Sequence, residues 1–378
     1  MKITIVHGFF LPIPPLAGGA MEKIWWRLAR EFAARGHEVV SVSRRWPGLP
    51  HNETREGVRL LRLTGRDHSR RLAMNLVLDA LWSLRALPRL PRADILVSNN
   101  VALPALAPLL SPSSGRLVAN LNRYPKGQLR TWRRIARLQA ASPAIAAAVA
   151  SQAPRLTPLV RVTPNPVDLA LFSTPSARRP HDAPVTLGFT GRFHPEKGLE
   201  TLARAARLLA ENHGLPPWRI VLRGPADIPR GGGGPAFERR LLEIAGPLVA
   251  DGRWRHEPPE FDAGRLALTY RDYDLFVYPT QAEQGEALPV AVLEALASGL
   301  PVVATDLSCF AGYVLPGRTG EVVPLGAPPE AWAATLSSLL QNHNRRAALS
   351  TSCREVVSPL DFPAQAEAML QDFASLLR

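Results

Sequence analysis

Four short stretches of this 378-residue chain carry side chains whose types and spacing suit chemistry. In TGRFHPEKG, Arg192 and Lys197 lie in a loop that follows an apolar run ending at Thr190, with Lys197 and Gly198 at the start of a helical pattern. Two cations beside the free amides of a helix start can converge on one anion, and a diphosphate suits that arrangement. Two solvated loop charges are the competing reading. In EALPVAVLEALASGLP, Glu286 stands just before a helix opened by Pro289, and Glu294 stands inside it among Val290, Val292, Leu293, Ala295, Leu296 and Ala297. A carboxylate in so apolar a helix needs partners. The hydroxyls of a sugar nucleotide would supply them, ribose for Glu294 and the sugar ring for Glu286; a dipole contact and a solvated side chain are the plainer alternative. Gly18 and Gly19, ahead of the first helix, permit close backbone approach to phosphate or sugar, or simply make a turn. Asn165, Pro166 and Asp168 in VTPNPVDLALF form a further turn.

Positioning these residues requires a frame, and the hydrophobic periodicity supplies one. Residues 3–6 read as a buried strand, 21–35 as a helix with Ile24, Leu28 and Phe32 on one face, and 38–42 as the next strand, which makes a βαβ unit. Strands at 59–63, 94–98 and 116–120 follow, with a helix over 69–87 between the first two. The second half repeats the scheme with strands at 185–190, 219–222, 275–278 and 301–304 and helices at 199–212, 236–248, 264–271 and 288–298. Such alternation predicts mostly parallel sheets covered by helices. The length favours two α/β domains, since single cores stop growing near about 250–300 residues. Their boundary falls within 173–184, and an amphipathic helix over 363–377 ends the chain. In open α/β sheets ligands lie outside the carboxyl ends of the strands, which directs attention to the four loops above.

Charge is distributed unevenly. Residues 1–180 hold 27 Lys and Arg against 9 Asp and Glu, a net of +18, and the remainder holds 18 against 23, a net of −5. No carboxylate occurs from Ile95 to Val167, where Arg116, Arg123, Lys126, Arg130, Arg133, Arg134, Arg137, Arg155 and Arg161 all fall. That surface attracts an anionic partner. Nucleic acid ranks last, because aromatics do not interleave with the charges in a stacking pattern. Cys309 and Cys353 lack the paired spacing of a metal or redox site and read as reduced thiols of a cytosolic protein. The opening MKITIV reads as a strand rather than a leader, because Pro12, Pro14 and Pro15 interrupt it, and no apolar segment nears the roughly 20 residues that span a bilayer. Asp272 and Asp274 in DYD precede a strand, so they lie away from the carboxyl-end loops and make a poor metal site. PRGGGGP lacks the Lys-Ser/Thr of a phosphate-binding loop and is expected to be a flexible surface loop.

Taken in order, GGAMEKI, ARGHEV, TPNPVDLALF, TGRFHPEKGLETL, DYDLFVYPTQAEQGEALPVAVLEALASGLPVVAT and LPGRTGEVV resemble the retaining glycosyltransferases of family 4 over nearly the whole chain. The resemblance implies an α/β protein of the GT-B fold: two Rossmann-like domains facing each other across a deep cleft, with the C-terminal helix packing back on the N-domain. The domains implied are an acceptor domain over 1–175, a nucleotide-sugar donor domain over 176–362 and a returning helix over 363–378. Arg192 and Lys197, with Gly191, match the pair that neutralises the donor diphosphate. Glu286 matches the outer glutamate, holding the donor sugar with backbone amides of Ala287, Leu288, Pro289 and Val290, and Glu294 matches the inner glutamate on the ribose. Gly18 and Gly19 match the N-domain glycines that face the diphosphate.

The implied function is hexosyl transfer from a UDP- or GDP-sugar, without cofactor or metal ion, to a lipid-linked or lipopolysaccharide-type glycan. The implied setting is the cytoplasm, with the basic N-domain held peripherally against an anionic membrane. The chain departs from the family in three places. Many members carry a histidine after the strand corresponding to 116–120, whereas none of the nine histidines lies between Ile95 and Val167, and Asn120, Asn122 or Arg123 stands in its place. One extra residue separates the glycine pair from its glutamate, so Glu22 receives no role. Leu288 and Pro289 replace the usual Phe-Gly. A nucleotide-sugar-binding protein that has lost catalysis is the alternative expectation.

Overall fold

Strand β1 (Lys2–Val6) is the centre of an eight-stranded sheet in a computed structural model that describes residues 1–69, 71–173 and 183–378. Its companions are β2 (Glu38–Arg44), β3 (Asn52–Arg55), β4 (Val58–Leu63), β5 (Ile95–Ser98), β6 (Arg116–Leu121), β7 (Arg137–Ala140) and β8 (Val160–Val162). They run in the order β3-β4-β2-β1-β5-β6-β7-β8. Every pairing is parallel except the β3–β4 hairpin. Ile3 pairs with Val39 on one side and Ile95 on the other, so the sheet's order reverses between β1 and β5. Helix α1 (Ala20–Ala34) buries Ile24, Trp25, Leu28, Ala29 and Phe32, the face that its period selects. Helices α2 (Leu72–Ala86), α3 (Leu103–Leu110) and α4 (Pro143–Gln152) complete the cover.

The chain divides into two units, Met1–Pro166 with Phe362–Arg378, and Val167–Asp361. The expected boundary within 173–184 falls mostly outside the described residues. The division lies earlier, because α5 (Leu169–Phe172) belongs to the second unit, where Phe172 meets Tyr270 edge-on at 5.5 Å between ring centres.

Six parallel strands build the second sheet: β9 (Val185–Thr190), β10 (Trp218–Arg223), β11 (Trp254–Glu257), β12 (Leu275–Tyr278), β13 (Val302–Thr305) and β14 (Gly320–Val323). Their order is β11-β10-β9-β12-β13-β14. The continuous apolar runs LFVY and VVA mark β12 and β13 as strands buried on both faces, as a parallel sheet between helices requires. Around it lie α6 (Leu199–Glu211), α7 (Pro235–Ala245), α8 (Pro247–Ala250), α9 (Ala263–Tyr270), α10 (Val290–Ala297), α11 (Pro329–Gln341) and α12 (His343–Val357). The last helix, α13 (Phe362–Ser375), returns to the first unit. There Phe373 packs on Phe32 with ring centres 6.0 Å apart, and Asp372 takes Arg137 in a two-pronged pair at 2.9 and 3.1 Å.

Candidate functional site

In the second sheet the order reverses between β9 and β12, and ligand crevices of open α/β sheets form at such reversals. The two loops that leave these strands are tied together. Gly198 has φ +66, and a Cβ there would collide with the carbonyl oxygen of Pro279, so only glycine lets the loops pass this closely. Gln281 N donates to Glu196 O at 2.7 Å, and Thr280 Oγ1 lies 3.2 Å from the same oxygen.

This stitching places the Lys197 ammonium against Glu286, both buried, with Lys197 Nζ donating to Glu286 Oε1. Two hydroxyls converge on the same oxygen, Thr280 Oγ1 at 2.8 Å and Tyr278 Oη at 3.2 Å. Lys197 Nζ also donates to Tyr278 Oη at 3.1 Å. A lone charge at this depth would be strongly destabilising, whereas a pair with hydroxyl partners is tolerated. Burial first, and then the Glu286 charge, push the Tyr278 phenol well above its ordinary range, so it stays a neutral donor. Its ring is fixed by stacking on Phe189 at 5.7 Å and by Phe310 edge-on at 6.1 Å. All three bonds fall on Oε1; among the described residues Glu286 Oε2 takes none, which leaves one carboxylate oxygen for a ligand hydroxyl.

Arg192 lies near enough for its charge to act on the same Tyr278 phenol that accepts from Lys197 Nζ. Its guanidinium donates to Gly231 O and to Glu196 Oε1, each at 2.9 Å, and remains nearly half exposed. The segment PRGGGGP is therefore more than the free surface loop expected of it. Gly232 N, Gly233 N and Gly234 N bond to Asp227 O, Phe193 O and Ala226 O, and a Cβ on Gly231 would strike Arg192. Gly191 joins the same framework through Arg223 O at 3.0 Å. Pro289 is the cap of α10 rather than its first turn. It has no N–H, so of the run expected to offer amides only Ala287, Leu288 and Val290 carry donors. On α10, Glu294 is half-buried, and Tyr270 Oη donates to its Oε2 at 2.8 Å. The chain itself thus supplies one of the partners expected from a ligand. Burial, then the Glu294 charge, keep the Tyr270 phenol protonated.

In the first unit, Gly18 and Gly19 take φ +80 and +90 on the way from β1 into α1. Glu22, dismissed from the sequence, is buried against them: a Cβ on Gly19 would overlap its Oε2. Burial pushes its carboxyl up to about 7, opposed by its own backbone N–H and by the Arg123 guanidinium. Arg123 also lowers His68, after burial, so Glu22, His68 and Arg123 share one electrostatic neighbourhood where no family histidine stands. Asn120 Nδ2, on β6, donates at 2.6 Å to Oδ1 of Asn99, the residue that follows β5.

Tyr278, Thr280 and Tyr270 were missed in the sequence, although Tyr278 and Thr280 lie two apart at the carboxyl end of β12, where the alternation of a strand aims both to one side. Asp272 and Asp274 sit before β12 as expected, and Asp274 Oδ2 accepts from Thr186 N at 2.7 Å. A cavity of about 630 Å³ in the first unit opens beside Asp94 and Arg116, at the amino ends of β5 and β6, away from the loops that carry this chemistry.

Residues 184–342 match the family described as Glycosyl transferases group 1, and residues 17–171 match Glycosyltransferase Family 4. A D-inositol 3-phosphate glycosyltransferase of Kineococcus radiotolerans is 34% identical over 234 residues, 56% of this chain and 51% of that protein. One of the same name from Thermobispora bispora is 33% identical over 201 residues, 52% of this chain and 44% of that protein. The chain thus spans about half the length of the curated relatives it matches. Sucrose-phosphate synthase from Thermosynechococcus elongatus has the same fold, with a TM-score of 0.82 at 21% identity over 100% of this chain and 99% of that one. So does Anabaena HepE in complex with UDP-glucose, with a TM-score of 0.75 at 19% identity over 99% of this chain and 100% of that one. That fold is GT-B.

Proposed function

The chain belongs to the glycosyltransferases of group 1 and family 4, and from that premise we propose that it moves a sugar from a UDP- or GDP-sugar to an acceptor hydroxyl with retained anomeric configuration. The observation that carries the reading is the buried Lys197–Glu286 pair, built by two loops at the order reversal of the second sheet. Arg192 and Lys197 take up the negative charge that grows on the departing nucleotide, an electrostatic task in a site of low polarity. The open oxygen of Glu286, with the amides of Ala287, Leu288 and Val290, holds the sugar, and Glu294 takes the ribose hydroxyls. The bond from the anomeric carbon to the diphosphate oxygen breaks, and the acceptor oxygen bonds on the same face. The acceptor's proton passes to the leaving phosphate. No metal ion or other cofactor enters this scheme.

A lipid-linked or polysaccharide-type glycan is the proposed acceptor. The basic first unit supports it, because such acceptors carry phosphate or lie on anionic surfaces. Among the described residues no helix is long and apolar enough to cross a membrane. The attachment proposed is to the membrane surface.

Incubation with a panel of nucleotide sugars and glycan acceptors tests the reading. Transfer is expected, with turnover lower by at least ~100-fold in Arg192→Ala and in Lys197→Ala. Near-normal turnover in both variants contradicts the assignment. Tight donor binding without transfer or hydrolysis favours the second reading, a nucleotide-sugar-binding protein, which the lack of a histidine between Ile95 and Val167 motivates.

A further inference from the structure

Helix α2 is apolar on the side that faces away from the protein. Its inner face is Asp79, Trp82, Ser83 and Ala86, all buried. Trp82 Nε1 donates to His7 O at 3.0 Å, and Asp79 Oδ2 accepts from Val101 N and Ala102 N, just ahead of α3, at 3.0 and 2.7 Å. The opposite face carries Met74, Val77, Leu81 and Leu84, at the three- and four-residue steps that place them in one line along the helix. With Leu72 and Leu76 they make six large apolar side chains between 45% and 62% exposed on a single helix. Surface helices normally turn polar residues to water, and an apolar stripe of this length marks a contact surface.

The charges around the stripe identify what it contacts. From His68 to Ala93 the only carboxylate is Asp79, which is buried under the helix. Arg71 stands at the amino end, and Arg85, Arg89 and Arg92 stand at and beyond the carboxyl end, all exposed and none paired with a carboxylate among the described residues. A second copy crossing antiparallel would set Arg71 of each chain beside Arg85 of the other, with no acid between them. An anionic bilayer instead receives the stripe among its acyl chains and the arginines among its headgroups. We infer that α2 is the element by which this chain inserts into an anionic lipid surface, with Met74, Val77, Leu81 and Leu84 below the headgroups and Arg71, Arg85, Arg89 and Arg92 among them. The inference deepens the acceptor reading above, on which it rests for its purpose, and names the surface that would meet the lipid.

Co-sedimentation with vesicles of equal parts phosphatidylcholine and phosphatidylglycerol tests it, with the full chain and with Val77→Glu/Leu81→Glu. The wild type is expected to sediment with these vesicles, and the variant to bind at least about tenfold more weakly. Both positions are solvent-facing, so the thermal midpoint should be unchanged, as should any midpoint shift produced by a nucleotide sugar, which reports the donor site separately. Leu84→Trp should shift its emission to shorter wavelength when these vesicles are added. Equal binding by wild type and the double variant overturns the inference, as does a wild type that ignores the vesicles at low salt. A wild type that sediments as a dimer without lipid, and becomes monomeric in the double variant, also overturns it by assigning the stripe to a second copy.

Discussion

Burial sets Glu22 and His7 on opposite courses with pH. Glu22 is pushed up to about 7 from 4.5, so its contribution to stability is full below pH 4.5 and is lost as pH rises through 7. His7, buried and touching Ser41 Oγ at 2.9 Å, is pushed down to about 3 from 6.5, so its contribution is full above 6.5 and is lost as pH falls through 3. Between pH 4.5 and 6.5 the two slopes, about 1.4 kcal/mol per pH unit each, oppose one another. Glu22→Gln removes one of them. Urea unfolding across that window should show the variant gaining stability relative to wild type by about that slope as pH rises, and parallel curves would contradict the burial of an ionisable carboxyl there. The sequence displayed Lys197, Arg192, Glu286 and Glu294 because cations and carboxylates beside strand ends stand out. It hid Glu22, Tyr278 and Tyr270, because a glutamate one position out of register and a tyrosine in an apolar run look like ordinary helix and core. Only the packing shows that their polar atoms meet another residue's charge.

At the scale of elements, the site depends on two loops that must touch. Gly198→Ala places a methyl group into the Pro279 carbonyl at a positive φ, so the loop after β9 must draw away from the loop after β12. A destabilisation of about 1–3 kcal/mol is expected, with loss of donor affinity, and denaturant unfolding paired with nucleotide-sugar titration measures both. An alanine variant with unchanged stability and affinity would mean that the loops do not hold each other. The long periodic elements were legible, among them α1, α6 and the buried strands β9, β12 and β13. Others were not. β7, β8, β11 and β14 are three or four residues each and bring charged side chains such as Arg137, Arg161 and Glu257, so their apolar alternation is too short to register. Helix α3 carries prolines inside a leucine-rich run, α4 begins with proline in alanine-rich sequence, and α12 opens on the exposed polar residues His343, Asn344 and Arg345, which blurs their period.

For the whole molecule, sequence and structure agree on two α/β units of opposite charge, with the last helix belonging to the first. The structure divides the chain at Pro166, earlier than the sequence suggests, because VDLALF looks like the end of one domain while Phe172 packs on Tyr270 in the other. Many of the arginines between Ile95 and Val167 are exposed, as an anion-attracting surface requires, but Arg137 is spent on Asp372 and Arg155 on the carbonyls of Leu129 and Trp132. In the proposed function the second unit binds a sugar nucleotide between the loops of its order reversal. Thermal unfolding of the chain with UDP- and GDP-sugars tests it most directly, because a ligand that binds only the folded state raises the midpoint in step with its affinity. A raised midpoint is expected with at least one of these donors, and loss of that rise in Glu294→Ala. No rise with any of them, or an equal rise in the variant, would contradict it.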